Sequence, residues 1–222
     1  MSASRVFVGI TGASGVVYGV RLVRALAERG RDVEVAVTDA GVRVLAIETG
    51  LHLAGDRGDA ALLAGPAPAA RVRVHDNRSI EAGPASGTYR VDAAILCPCS
   101  MGTLGRIASG YSSCLIERVA DVALKEARPL VLVPRETPLS KIHLDHLARL
   151  AWAGATILPA MPAFYHRPKS IDEIVDHLVG KVLDAVGIDH ELSRRWAMPS
   201  DPGPRPDRER AAEDDLGEGC DR

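Results

Sequence analysis

The 222-residue sequence predicts an α/β fold, a Rossmann-like, doubly wound, mostly parallel sheet flanked by helices, with a disordered C-terminal tail. Three observations predict it. Apolar runs of strand length alternate with segments of helical periodicity. The strand runs are continuously apolar, as strands buried on both faces of a parallel sheet are. A glycine-rich turn, "GITGASGVVYG" at 9–19, joins the first strand to the first helix.

Each element has its own signal. "RVFVGI" (5–10) is β-branched and aromatic, hence a strand. "GVVYGVRLVRALAERG" (15–30) carries Val16, Val20, Val23 and Ala27 at helical spacing, and Gly30 stops it. "DVEVAV" (32–37) reads as the second strand, and "AGVRVLAIETG" (40–50) as a short helix ended by Gly50. The pattern weakens over 51–90, rich in Ala, Gly, Pro and Asp, with one strand-like piece at "RVRVH" (71–75). Order returns with a strand at "DAAILCP" (92–98), a helix at 112–127 and a strand at "PLVLVP" (129–134). A helix at 139–154 and a last strand at "ATILPA" (155–160) follow. Ser170 and Glu173 form a capping box before the final helix. In that helix Ile171, Ile174, Val175, Leu178 and Val182 make one apolar stripe. The proline-rich, charged segment 199–222 cannot bury a core. One domain over 1–198 is therefore expected, with a disordered tail at 199–222.

Composition excludes several functions. The formal net charge is -2, so no basic field points to nucleic acid, and 4% aromatics leave little for base stacking. No apolar run approaches ~20 residues, and "MSASRVFVGI" is too short in its apolar part for a signal peptide. A cytoplasmic protein with no membrane contact is expected. Cys97, Cys99, Cys114 and Cys220 form no CxxC pair. Cys97 and Cys99, at a strand end, are expected to face opposite ways and so not to hold one ion together. Reduced thiols and no metal site are expected.

The candidate site comes from the strand ends. The glycine turn reads G-x-x-G-x-x-G, not the G-x-G-x-x-G of dinucleotide binding, and Thr38 stands where a ribose-binding acid would be. Read alone, the turn is either a tight packing turn or a phosphate cradle, and it speaks for phosphate more than for NAD. Ser14 adds a hydroxyl. Ser100 and Thr103 stand at the next strand-to-helix junction. Arg135 and Glu136 follow the strand after it, and Tyr165, His166 and Arg167 follow the last. Taken singly, each group is an ordinary solvated loop residue. Taken together, four strand ends deliver polar groups to one edge, where doubly wound sheets bind ligands.

"GITGASGVVYGVRL", "PCSMGTL", "ERVADVALKEARPLVLVPRETPLS" and "PAMPAFYHRPKSIDEIVDHLVGKVLD" together resemble the UbiX family of flavin prenyltransferases, from about residue 5 to 196. The resemblance implies a Rossmann-like flavoprotein fold and a homo-dodecamer. It implies transfer of a prenyl group from dimethylallyl phosphate to reduced FMN, giving prenylated FMN for a UbiD-type decarboxylase. It places FMN against Gly12, Ala13, Ser14, Thr38, Ser100, Met101, Gly102, Thr103, Arg118 and Arg135. Gly102 stands where a longer residue is common. Tyr165 and Lys181 match the prenyl-phosphate ligands, and Ser14, Glu48, Lys125, Glu136 and Trp196 the catalytic positions.

Physical chemistry gives those residues roles. Departing phosphate needs positive charge and donors, which Lys125, Lys181, Arg135 and Tyr165 supply. The allylic fragment is partly cationic, and Trp196 and Tyr165 offer aromatic faces. Ser14 and Glu48 can move protons, and Glu136 can protonate the leaving phosphate. No Asp-rich magnesium motif is present, so a metal-independent reaction is expected. Arg118 and Lys125, seven apart, share a helix face that alone reads as solvated. Two alternatives stay open. One is an FMN-dependent oxidative decarboxylase of a cysteinyl substrate, a group with a "PAMN" motif where this chain has "PAMP". The other is a non-catalytic flavin-binding subunit.

Overall fold

The computed structural model describes residues 4–55 and 58–192. Six parallel strands form one sheet: β1 (Arg5–Ile10), β2 (Asp32–Val37), β3 (Val72–His75), β4 (Ala93–Cys99), β5 (Leu130–Pro134) and β6 (Thr156–Ile157). Their order is β3-β2-β1-β4-β5-β6. The reversal lies between β1 and β4, so the crevice beyond their carboxyl ends is where such a sheet takes a ligand. The helices are α1 (Val16–Glu28), α2 (Asp39–Thr49), α3 (Gly58–Ala64), α4 (Met101–Ala108), α5 (Leu115–Lys125), α6 (Lys141–Trp152) and α7 (Ile171–Ala185).

Two cores cover the sheet faces. On one, Val6, Val8 and Ile10 of β1 pack with Leu22 and Leu26 of α1 and Val179 of α7. On the other, Phe7 and Leu96 pack with Leu104 of α4, Ile116 of α5 and Leu150 of α6. Successive residues of one strand thus reach opposite cores, which explains the unbroken apolar runs. Cys97 belongs to the first core and Cys99 to the second: two residues apart in a regular strand they would share a face, but the register of β4 shifts between Leu96 and Cys99 and turns Cys99 to the other side.

Several expectations need correction. α3 lies inside the stretch that gave no helical pattern; its seven residues are too few to show a period. The last strand is two residues, because at β6 the sheet ends against only one neighbour, β5. Ser170 caps α7 by accepting from the Glu173 N–H at 3.2 Å, but the Glu173 carboxylate accepts from the Lys169 N–H, one residue short of the box. Val175, Leu178 and Val182 of the α7 stripe are buried, whereas Ile171 at the helix start is 75% exposed. Trp196, Cys220, the segment 199–222 and the expected boundary at 198 lie outside the described residues.

Candidate active site

The glycine turn is tightly packed. A Cβ on Gly12 would stand 2.5 Å from the Ala40 Cβ at the start of α2, so the turn admits no side chain there. Gly15 precedes α1 with φ 97°, a left-handed conformation that suits glycine. The first N–H groups of a helix have no intrahelical partner. Here a carboxylate takes them: Glu48, at the end of α2, accepts from Gly15 N–H at 2.9 Å and from Val16 N–H at 3.1 Å. The helix start at this turn is therefore already occupied. Its anion comes from the chain itself, and Glu48 acts as the remote cap of α1, complementing the positive end of the helix dipole.

The N-terminus of α4 is built differently. Ser100 is its N-cap: the hydroxyl oxygen accepts from Thr103 N–H at 3.3 Å and its hydrogen goes to the Thr103 hydroxyl at 3.1 Å. Among the described residues no carboxylate caps this helix. Thr11, fully buried at the end of β1, fixes the turn. Its hydroxyl donates to Pro98 C=O at 2.8 Å and accepts from Ser100 N–H at 2.7 Å. A Cβ on Gly102 would meet only the Arg106 guanidinium, at 3.7 Å, so the helix start lies open at this point. Arg106 donates to Thr103 Oγ1 at 3.3 Å and pairs with the buried Glu117 of α5. Burial alone would push the Glu117 carboxyl up, but Arg106 and the Ser113 donors hold it below the usual carboxylate range.

Arg135, at the end of β5, reaches back across β4. Its Nε donates to Ser14 C=O at 3.1 Å, which joins the two sides of the crevice and leaves the rest of the guanidinium fork beside the turn. Thr38 caps α2 by accepting from Gly41 N–H at 3.0 Å; its hydroxyl hydrogen remains for a ligand. Glu136 is exposed and accepts from Thr137 N–H. Leu158 and Ala160 N–H groups donate to Leu132 and Pro134 C=O, so the loop carrying Tyr165 leaves from beside the end of β5.

That loop meets α7 in a cluster of rings. The Tyr165 hydroxyl lies 3.5 Å from His177 Nε2, with the rings edge to face at 84°. His166 stacks on His177 with centroids 4.6 Å apart. Lys181, exposed, is one helical turn beyond His177. Burial lowers the pKa of His177, with His166 and Lys181 adding to the effect. In the sequence His166 is a polar group after the last strand and His177 a polar residue beside an apolar stripe. Neither alone carries a sequence signal, because their pairing depends on how the loop folds onto α7.

Two expected site residues do not join this edge within one chain. Lys125 ends α5 shortly before β5 begins, at the amino edge of the sheet, where it pairs with Glu126. Its ammonium lies 3.1 Å from the place a Gly87 Cβ would occupy, just upstream of β4. Arg118 pairs with Asp121 at 2.7 Å on the outer side of α5.

Known proteins supply the remaining finding. A flavoprotein family profile matches residues 1–183. The flavin prenyltransferase UbiX of Halalkalibacterium halodurans is 48% identical over 197 residues, covering 87% of this chain and 94% of the relative. The chain belongs to the UbiX family of flavin prenyltransferases. Two solved structures place this UbiX-family chain among its relatives. One is AnUbiX (PadA1) in complex with FMN and dimethylallyl pyrophosphate, with a TM-score of 0.80 and 37% identity over 88% of this chain and 98% of that one. The other is a dodecameric FMN-dependent UbiX-like decarboxylase from Escherichia coli O157:H7, with a TM-score of 0.79 and 40% identity over 87% of this chain and all of that one.

The residues present fit FMN. The open N-terminus of α4, with the Ser100 and Thr103 hydroxyls at it, and the Arg135 fork make a donor set suited to a phosphate monoester. FMN is thus the flavin of this UbiX-family protein. No helix among the described residues is long and apolar enough to cross a membrane.

Proposed function

We propose that this protein joins the dimethylallyl group of dimethylallyl phosphate to N5 and C6 of reduced FMN, giving prenylated FMN. The observation that carries the reading is the division of the crevice into two donor sets. The α4 start with Arg135 suits a flavin phosphate, and Tyr165 on the loop, with Lys181 one helical turn beyond its partner His177 on α7, suits a second, smaller phosphate. Reduced FMN supplies the nucleophilic centres. Ser100, Met101, Gly102, Thr103 and Arg135 hold its phosphate, while Gly12, Ala13, Ser14 and Thr38 line the turn against which it lies. Tyr165 and Lys181 bind the prenyl phosphate and stabilise the negative charge that grows as it leaves. Glu136 protonates the departing phosphate, and Ser14 and Glu48 move protons beside the flavin.

The assembly is a homo-dodecamer. The dodecameric relative supports this, as do large apolar side chains left exposed on α6, among them Trp152 at 91% exposure. Lys125 and Arg118 then act in the site of a neighbouring copy, which reconciles their roles with their distance from the crevice of their own chain. Trp196 serves as the aromatic group that stabilises the allylic cation, and the domain ends near residue 198. A UbiD-type decarboxylase receives the product.

The test is direct. Protein incubated with dimethylallyl phosphate and FMN under reduction should release a flavin heavier by one prenyl unit in mass spectrometry. An oxidative decarboxylase would instead release CO2 from a cysteinyl peptide, and a passive carrier would return FMN unchanged. Lys181→Ala should purify yellow with FMN bound yet prenylate it far more slowly. A colourless Lys181→Ala protein, or one with wild-type turnover, would remove Lys181 from the prenyl-phosphate site.

A further inference from the structure

The ring cluster at α7 contains a group that the proposed chemistry does not use. His177 is 6% exposed and sits on a helix, whereas Tyr165 is 54% exposed on an irregular loop. An exposed loop tyrosine is not aimed by packing alone. Its ring here stands edge-on to both His166, at 79°, and His177, at 84°, and its hydroxyl reaches His177 Nε2. The fixed partner in this contact is the histidine.

The direction of the contact follows from the state of the imidazole. His177 is buried, stacked on a second imidazole and one turn from an ammonium. All three conditions disfavour a positive charge on the ring, so it is neutral. A neutral imidazole carries one N–H and one lone pair. The Nδ1 atom of His177 is buried and has no hydrogen-bond partner. A buried donor left unmade is costlier and rarer than an under-used acceptor. The proton therefore belongs on Nε2, and Nδ1 keeps the lone pair. Nε2–H then donates to the Tyr165 oxygen, and the Tyr165 hydroxyl hydrogen must point away from His177.

We propose that His177 is a positioning residue for the prenyl-transfer step: by donating to the Tyr165 oxygen it directs the tyrosine O–H toward the phosphate of the allylic substrate. This rests on the assignment of Tyr165 to that phosphate. The same donation polarises the O–H group, since linked hydrogen bonds strengthen one another. It acts as the leaving group gains charge, so it serves departure as well as binding. His166, stacked on His177 and itself edge to face with Tyr165, holds the His177 ring in plane. Arg21 of α1 pairs with Asp176 at 2.6 Å, which holds that part of α7 against the fold while the loop closes over its other side.

A double-mutant cycle tests the proposal, with turnover of dimethylallyl monophosphate by FMN-loaded protein under reduction as the readout. His177→Phe keeps a ring at the site and removes the donor. It should lower kcat/KM about three- to tenfold, the range of one neutral hydrogen bond, with FMN affinity unchanged. His177→Gln, whose amide can donate to the same oxygen, should recover part of that loss. In a Tyr165→Phe background, His177→Phe should have no further effect, because its target is gone. A purely structural histidine would lower turnover equally in both backgrounds, and that result overturns the proposal. Wild-type kcat/KM in His177→Phe, with Tyr165→Phe impaired, also overturns it while leaving the prenyl-phosphate assignment intact. Wild-type kcat/KM in Tyr165→Phe overturns both.

Discussion

Two helices begin at the same edge of the sheet, and their first turns are finished in opposite ways. The start of α1 is closed by the Glu48 carboxylate, which accepts from the Gly15 and Val16 N–H groups. The start of α4 is finished only by the neutral hydroxyl of Ser100. Both helix ends attract negative charge. One has been given that charge by the chain; the other still has it to receive. The glycines follow the same division. Gly12 is required because α2 lies against it, whereas Gly102 faces open space bordered by Arg106. A glycine-rich turn is thus a poor guide to phosphate on its own. The neighbour that reaches the helix start decides whether the turn binds a ligand or only packs.

The contrast can be broken from either side. The largest effect is expected at the open side. Arg135→Ala should weaken FMN binding by roughly 1.5–3 kcal/mol, the worth of a charge-assisted contact. Flavin titration followed by fluorescence reads this, and an unchanged dissociation constant would detach Arg135 from the flavin. The closed side should respond in stability. Glu48→Ala removes the cap of α1 and should cost about 1 kcal/mol, read as a lower midpoint in urea. Flavin affinity should change little beside the Arg135→Ala loss. Added inorganic phosphate should then protect Glu48→Ala more than wild type, because a second helix start has lost its anion. Equal protection of the two proteins would mean that the α1 turn cannot hold an anion at all. The smallest effect is expected at Gly102→Ala. Its Cβ would make an ordinary contact at 3.7 Å, so stability should move by less than about 0.5 kcal/mol. Gly12→Ala, with 2.5 Å to the Ala40 Cβ, should lose about 1–3 kcal/mol by overpacking. Similar losses at the two glycines would erase the distinction between the turns.

Much of this architecture was legible in the sequence, because it depends on local period and composition. β1, β2, β4 and β5 fall where continuous apolar runs placed them, and α1, α2 and α7 where glycine stops or a serine cap bounded them. α3 was hidden, since seven residues among alanines and prolines show no period. The polar strand ends were legible as a group, because the parallel topology carries them to one edge whatever their partners. Partnerships across the chain were not legible. Glu48 lies more than thirty residues from the N–H groups it caps, and nothing in "AIETG" announces that reach. Thr11 reads as one more residue of the glycine turn until its hydroxyl is seen joining the ends of β1 and β4. His177 reads as a polar break in an apolar stripe until the loop returns to it.

The two thiols of β4 give the fold a reporter of its own opening. Cys97 and Cys99 are fully buried, one in each core. Burial raises both pKa values, that of Cys99 to about 12, so neither forms the reactive thiolate at neutral pH. An alkylating reagent can reach them only when the layers on the two sides of the central strand separate. Modification of Cys97 then times the loosening of α1 and α7, and modification of Cys99 that of α4, α5 and α6. Mapped by peptide mass, the two rates would tell whether the halves of the sandwich come apart as one unit or in sequence.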